Sequence, residues 1–241
     1  MGYKNFNMKS MFVIKRGLLA GLLLTPMILL TPHAKAGVAL GTTRVIYPAE
    51  QKQVKLAITN NDEKSANLIQ SWVEDIEGVK DGQFVITPPL FAMHGKKEST
   101  LRIINSGSKQ LPQDRETLYW LNVKAIPSMD PSKLSENTLQ LAIISRIKLL
   151  YRPEKLALSP DQAADKLKFE RKAGSLRLIN PTPYYLTVTE LRAGTHTLNN
   201  TMVPPMGQTD VSLPSDAGKE ITYQTINDYG ALTPPMKIVI Q

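Results

Sequence analysis

The chain has 241 residues, 29 Lys or Arg against 21 Asp or Glu, 42% hydrophobic residues and no cysteine. Without cysteine it is no disulfide-stapled scaffold and has to be held by its own apolar core. Five of the basic residues and none of the acidic ones fall in the first 36 positions, so 24 basic face 21 acidic residues beyond them, a balance of +3 that argues against a nucleic-acid binder.

Those first positions read as a secretory signal peptide. Lys4, Lys9, Lys15 and Arg16 precede an apolar run from Gly17 to Leu30, and Ala34-Lys35-Ala36 supplies a small-residue cleavage site. The run is short and is broken by Thr25 and Pro26, which makes a poor membrane span. Cleavage is expected after Ala36, leaving Gly37 first in the mature chain, with no membrane insertion afterwards and a bacterial periplasmic location.

Beyond Gly37, short alternating or β-branched segments predict seven strands, at 38–47, 53–59, 66–74, 83–87, 99–104, 117–126 and 139–152, with turn-forming residues between them. This spacing predicts an immunoglobulin-like sandwich over residues 37–155 that lacks the usual Cys pair. The pattern restarts at 175–180, 184–191, 209–214, 220–227 and 236–240, predicting a second, smaller sandwich over 156–241. The one expected helix is about a turn at Ser159–Lys166, with Ser159 as N-cap and Pro160 at the first helical position. The fold class is all-β, two immunoglobulin-like sandwiches.

The last strand of the first sandwich carries two patterns. Leu139, Leu141, Ile143, Ile147, Leu149 and Tyr151 fall with Ser145 on one face, whereas Arg146, Lys148 and Arg152 fall among apolar residues on the other. Arg44 in the first strand and Glu116 at the start of the sixth are further charges set in apolar surroundings. Half-buried charges cost several kcal/mol unless paired, so these either face solvent or have partners.

The constellations of an enzyme are missing from the sequence: no cysteine nucleophile, G-x-S-x-G, H-E-x-x-H, P-loop or G-x-G-x-x-G. His94 and His196 sit in loop-like contexts. Glu74, Asp75 and Glu77 could supply a glycosidase's carboxylates, but they read better as a charged strand end entering a turn. No catalytic residue, metal site or cofactor is expected.

The stretch LPQDRETLYWLNVKAIP, Leu111 to Pro127, resembles the signature of the PapD-like periplasmic pilus chaperones. The resemblance extends over the mature chain, through GVALGTTRVIYP at 37–48, TPPLFAM at 87–93, LAIISRIKLLYRP at 141–153, LINPTPYYLTVTEL at 178–191 and TINDYGALTP at 225–234. The resemblance implies two sandwiches in a boomerang with a cleft between them. It also implies donor-strand complementation, a form of β-augmentation in which the chaperone fills the groove of an unfinished pilus subunit. Leu139, Leu141, Ile143 and Ile147 would be the donor strand, and Arg44 and Lys148 the anchor for the subunit's C-terminal carboxylate. Glu116, Arg152 and Asp228 would form a structural inter-domain ion network. The implied partners are pilus subunits and an outer-membrane usher. The short connection Ser128–Thr138 resembles the branch of the family that builds rod-like pili. The alternatives are a two-domain β-sandwich adhesin or pilus subunit, which would usually carry cysteines and its own donor extension, and then a periplasmic glycosidase.

Overall fold

The computed structural model describes residues 37–63, 65–129 and 139–240; the expected signal, Met1–Ala36, and the stretch Asp130–Thr138 of the short connection lie outside the described residues. The N-terminal sandwich contains β1 (Val38–Leu40), β2 (Arg44–Pro48), β3 (Gln53–Asn60), β4 (Asn67–Glu74), β5 (Phe84–Thr87), β6 (Leu90–Met93), β7 (Glu98–Asn105), β8 (Thr117–Pro127) and β9 (Ile143–Arg152). They form two sheets, ordered β1-β3-β7-β5 and β2-β9-β8-β4-β6.

The first predicted strand is therefore two. β1 pairs antiparallel with β3 in one sheet, and the chain then crosses to the other, where β2 pairs parallel with β9. The crossing begins at Gly41, where a Cβ would stand 3.2 Å from both the Cβ and the carbonyl oxygen of Ala57, so a residue without a side chain permits the close passage. Alternation alone carries no mark of this change of partner, because both halves keep the period of two.

Between the sheets lie Leu56, Ile58, Ile69, Leu101, Ile103, Leu121 and Leu149, each at most 1% exposed. Tyr47, Phe84, Tyr119 and Tyr151 pack beside them; Phe84 meets Tyr47 and Tyr119 edge-on at centroid distances of 5.1 and 4.9 Å. The Tyr47 hydroxyl accepts a hydrogen bond from the Asn105 amide at 3.1 Å, so its one polar atom is not stranded. Aromatic packing of this kind holds the two sheets together without a disulfide.

The second sandwich contains a short helix, α1 (Pro160–Ala163), then β10 (Lys168–Lys172), β11 (Ser175–Asn180), β12 (Leu186–Ala193), β13 (His196–Thr197), β14 (Thr201–Val203), β15 (Gly207–Ser212), β16 (Glu220–Thr225) and β17 (Met236–Val239). One sheet runs β10-β11-β15; the other runs β13-β12-β16-β17, with β14 also on β12. Pro160 opens α1 as expected, but Ser159 makes no side-chain cap, and Ala164–Lys166 continues as a 3-10 turn. Sequence reading passed over β10 because Lys168-Phe169-Glu170-Arg171-Lys172 is mostly charged. As an edge strand it needs only Phe169 inward, against Tyr223 at 4.8 Å. The core of this domain is separate, centred on Leu176, Leu178, Val188, Leu191 and Ile221. Asn180, fully buried, ties its loops together: its amide nitrogen donates to the carbonyls of Tyr184 at 2.7 Å and Pro204 at 3.0 Å, and its oxygen accepts from the Thr182 amide.

Where the sandwiches meet, Arg152 at the end of β9 donates through Nε to Glu116 Oε1 at 2.8 Å and grips both oxygens of Asp228 at 2.6 and 2.7 Å. Glu116 is 2% exposed, and its other oxygen accepts from the Tyr185 amide at 2.8 Å. The Arg152 guanidinium also lies over the Tyr184 ring at 5.1 Å. Burial works against the cation, but Asp228 and Glu116 outweigh it and hold Arg152 above its ordinary range. Removing one member of such a cluster strands the others. Arg152→Ala should cost roughly 3 to 5 kcal/mol of folding stability. Urea unfolding will measure it, and Glu116→Gln added to that variant should recover part of the loss, because a neutral amide needs no counter-charge. An unchanged midpoint for Arg152→Ala would show that the cluster contributes nothing.

Candidate functional site

The strand β9 pairs with β8 over its whole described length up to Tyr151, but with β2 only from Lys148 onwards. On the β2 side, the edge from Ile143 to Ile147 is therefore unpaired among the described residues. Its core-facing side chains change environment along the strand. Leu149 and Tyr151 are buried, Ile147 is half-buried, Ile143 is 65% exposed, and Leu141 and Leu139 before it are 67% and 80% exposed. One apolar row thus starts in the core and runs out into solvent. Exposed apolar side chains beside free backbone N–H and C=O groups are a template for a partner strand.

The expected strand over 139–152 begins only at Ile143. Its final pair with β8 is Ala125 with Ile143, and β8 ends at Pro127, which has no N–H to donate. The Pro127 carbonyl instead accepts from the Gln140 side chain at 2.7 Å. Among the described residues, Leu139–Ala142 has no ladder partner on either side. Of the four expected donor residues, Ile143 and Ile147 lie on the strand, and Leu139 and Leu141 lie just ahead of it.

At the other end of the open edge stand two cations. Arg44, first residue of β2, is in register with Lys148 on β9. Arg44 is 7% exposed; its Nη1 donates to the Ile226 carbonyl at 3.0 Å, and its buried Nε has no partner. Lys148 donates to the Thr187 hydroxyl at 2.5 Å. Burial, and then the neighbouring charge of Arg44, pull the Lys148 ammonium down to about 8. Burial also lowers Arg44, although Asp228 and Glu116 oppose it. Those two carboxylates are already engaged by Arg152. Among the described residues the pair thus lacks a carboxylate of its own, and a charge-assisted hydrogen bond to an incoming carboxylate is the chemistry it offers. Beside it a cavity of about 270 Å³ is lined by Arg44, Leu150, Arg152, Tyr185 and Asp228, among others.

Thr187 as the partner of Lys148 was invisible to sequence reasoning, since it lies 39 residues away in the other domain. The Trp120–Arg146–Glu74–Trp72 cluster on the outer face was missed as well. Arg146 stacks on Trp120 at 4.7 Å and pairs with Glu74 at 3.1 Å, and Glu74 accepts from the Trp72 indole at 2.6 Å. The only signal would have been their shared face on paired strands. Asp75 accepts from the Val79 amide at 2.8 Å and closes the following hairpin turn. Glu74 and Asp75 thus serve a strand end and a turn. His94 is exposed, and His196 lies 3.3 Å from Asp216 on a surface hairpin.

Comparison with known proteins gives the chain's family. The family model described as "Pili and flagellar-assembly chaperone, PapD N-terminal domain" matches residues 37–157, and "Pili assembly chaperone PapD, C-terminal domain" matches 162–236. Chaperone protein FimC of Escherichia coli strain K12 is 68% identical over 241 residues, covering all of both chains. Chaperone protein FocC of Escherichia coli is 63% identical over 211 residues, which is 87% of this chain and 93% of that one. Among solved structures, the periplasmic chaperone SfaE is 61% identical with a TM-score of 0.75, covering 84% of this chain and 100% of its own. The SafB chaperone of Salmonella enterica, solved in complex with the SafA pilin, appears in a match of 31% identity and TM-score 0.76 over 84% and 96% of the two chains. With both sandwiches matched and a relative this close along the full length, the chain belongs to the PapD-like family of pilus-assembly chaperones.

Proposed function

We propose that this chaperone works in the periplasm after cleavage behind Ala36, captures pilus subunits by donor-strand complementation, and passes them to an outer-membrane usher. Leu139, Leu141, Ile143 and Ile147 fill the subunit's open groove, Arg44 and Lys148 hold its terminal carboxylate, and the free edge of β9 pairs with its backbone. Glu116, Arg152 and Asp228 fix the N-terminal domain, 37–155, against the C-terminal domain, 156–241. No catalytic step or cofactor enters this reading. The observation that carries it is the single apolar row that is buried at Leu149 and bare from Ile143 outward, ending on two cations without a carboxylate. The SafA–SafB structure supports a pilin as the class of partner.

Recognition and stability should separate at Lys148. Lys148→Met keeps the side-chain stem and removes the charge, so subunit capture should weaken by about 2 to 5 kcal/mol. A subunit amidated at its C-terminus should bind wild type as poorly as the variant does. Leu141→Glu should also abolish capture, by placing a charge in the groove. If Lys148→Met captures normally and Leu141→Glu does not, the strand alone recognises the subunit. Capture is read by dilution of denatured subunit into chaperone and native gel analysis.

The free protein bears a cost for holding this ammonium ready. Its folded pKa of about 8 lies below the ordinary Lys value of 10.5, so between those pH values the unfolded chain binds more protons. Stability from this group is therefore lowest below pH 8 and rises towards 10.5. The wild-type minus Lys148→Met difference in unfolding free energy should show that rise, and other titrations cancel in it. At pH 7 the methionine variant should be the more stable by roughly 1 to 3 kcal/mol. A flat difference curve would mean that Lys148 is as well solvated folded as unfolded.

The mature start is checked by intact mass of the periplasmic form, expected to begin at Gly37. A species that keeps the apolar run from Gly17 to Leu30 would mean that the segment is an anchor.

A further inference from the structure

Tyr229 is 90% exposed, the highest value among the large apolar and aromatic side chains of the described residues. Its backbone is nevertheless tightly held. In the loop between β16 and β17, Ile226 and Leu232 form an isolated bridge, and the Asn227 side-chain oxygen accepts from the amides of Tyr229 at 3.1 Å and Ala231 at 3.0 Å. Asp228 is clamped by Arg152 through two hydrogen bonds. Gly230, at φ +83°, packs so closely on Thr43 that a Cβ would collide with the threonine hydroxyl. The fold thus spends a glycine, an Asx turn and part of an ion cluster on fixing a loop whose aromatic ring it leaves in water.

The loop's position suggests what the ring is for. Thr43, against which the loop is seated, directly precedes Arg44. Asp228, next to Tyr229, is bonded to Arg152 beside the same cavity, and Leu232, 53% exposed, lines that cavity. Tyr229 therefore adjoins the rim of the cavity beside the cation pair, next in the chain to its lining residue Asp228. A rigidly mounted aromatic offers a large contact area at little entropic cost, the property that concentrates binding energy in such residues. The positive charge without a carboxylate at this rim calls for an anion, and a chain terminus brings one together with side chains that can pack on the ring.

We propose that Tyr229, with Leu232, packs against the apolar side chains that immediately precede the terminal carboxylate of a captured subunit, so that the C-terminal domain reads those residues while Arg44 and Lys148 hold the carboxylate. The inference rests on the anchor reading above.

The experiment compares Tyr229→Ser, Tyr229→Phe and, as a control on the anchor itself, Lys148→Met, each competing with wild-type chaperone for a denatured pilus subunit on dilution. Tyr229→Ser should keep the wild-type melting temperature and capture about tenfold more weakly, whereas Tyr229→Phe should stay near wild type. Replacing with Ser an apolar residue next to the subunit's C-terminus should weaken binding to wild type but cause little further loss with Tyr229→Ser. Normal capture by Tyr229→Ser alongside failure of Lys148→Met overturns the inference and leaves the anchor standing. Normal capture by both overturns the anchor reading, and the inference falls with it. A Tyr229→Ser chaperone that captures normally but loses self-association, or fails to pass the subunit to the usher, assigns the ring to a second copy or to the usher and equally overturns the proposal.

Discussion

The half-length pairing of β2 with β9 is the constraint from which the rest of the site follows. Had the first strand stayed in one sheet, β9 would be either fully covered or fully open. Because the chain crosses at Gly41, β2 reaches β9 only at Lys148 and leaves the stretch from Ile143 to Ile147 without a neighbour on that side. The same crossing places Arg44 at the first residue of β2, in register with Lys148. Open edge, bare apolar row and cation pair are thus one consequence of a single change of partner, made possible by a residue with no Cβ against Ala57.

An edge of this kind is a hazard for any soluble sandwich. Two other edge strands carry charge: β10 is mostly charged, and β17 carries Lys237, paired with Glu220 at 2.7 Å. At β9 those measures are missing. Its neighbouring cations lie on the opposite face and at the far end of the open segment, so the apolar row is not interrupted by charge. Stability for the cleft comes instead from Arg152, whose two carboxylate partners lie on different domains. On the proposed reading, binding and mechanical support are four residues apart on one strand, with Lys148 left for an incoming anion and Arg152 held by internal carboxylates.

Much of this was legible in the sequence, for identifiable reasons. Alternation revealed both sandwiches and the double character of 139–152, because a period of two is a local property. Charges set among apolar residues drew attention to Arg44, Glu116, Lys148 and Arg152 before any geometry was known. What alternation could not carry was the identity of the neighbour. The break between β1 and β2, the late start of β9 and the Thr187 partner of Lys148 all depend on which strand lies alongside. β10 escaped because an edge strand needs only one buried face, and here that face is essentially Phe169. The anchor and donor roles proposed for these residues came from family resemblance, not from pattern.

The geometry also limits what can satisfy the site, on the proposed reading. β2 runs parallel to β9 and begins at Arg44. A partner strand filling the open stretch, and ending with its carboxylate on Arg44 and Lys148, must run from beside Ile143 towards Lys148, also parallel to β9. It would lie end to end with β2, its terminus meeting the start of that strand. An internal segment of a chain could cover the apolar row but would leave the two cations buried without a carboxylate. A small free anion could neutralise them but would leave the edge and the row bare. Only an apolar strand at the extreme C-terminus of a chain meets both demands at once. Neither feature is specific alone, since aliphatic rows and cation pairs are common on protein surfaces. Their separation along one strand, with direction fixed by β2, turns two weak preferences into selection for a chain end.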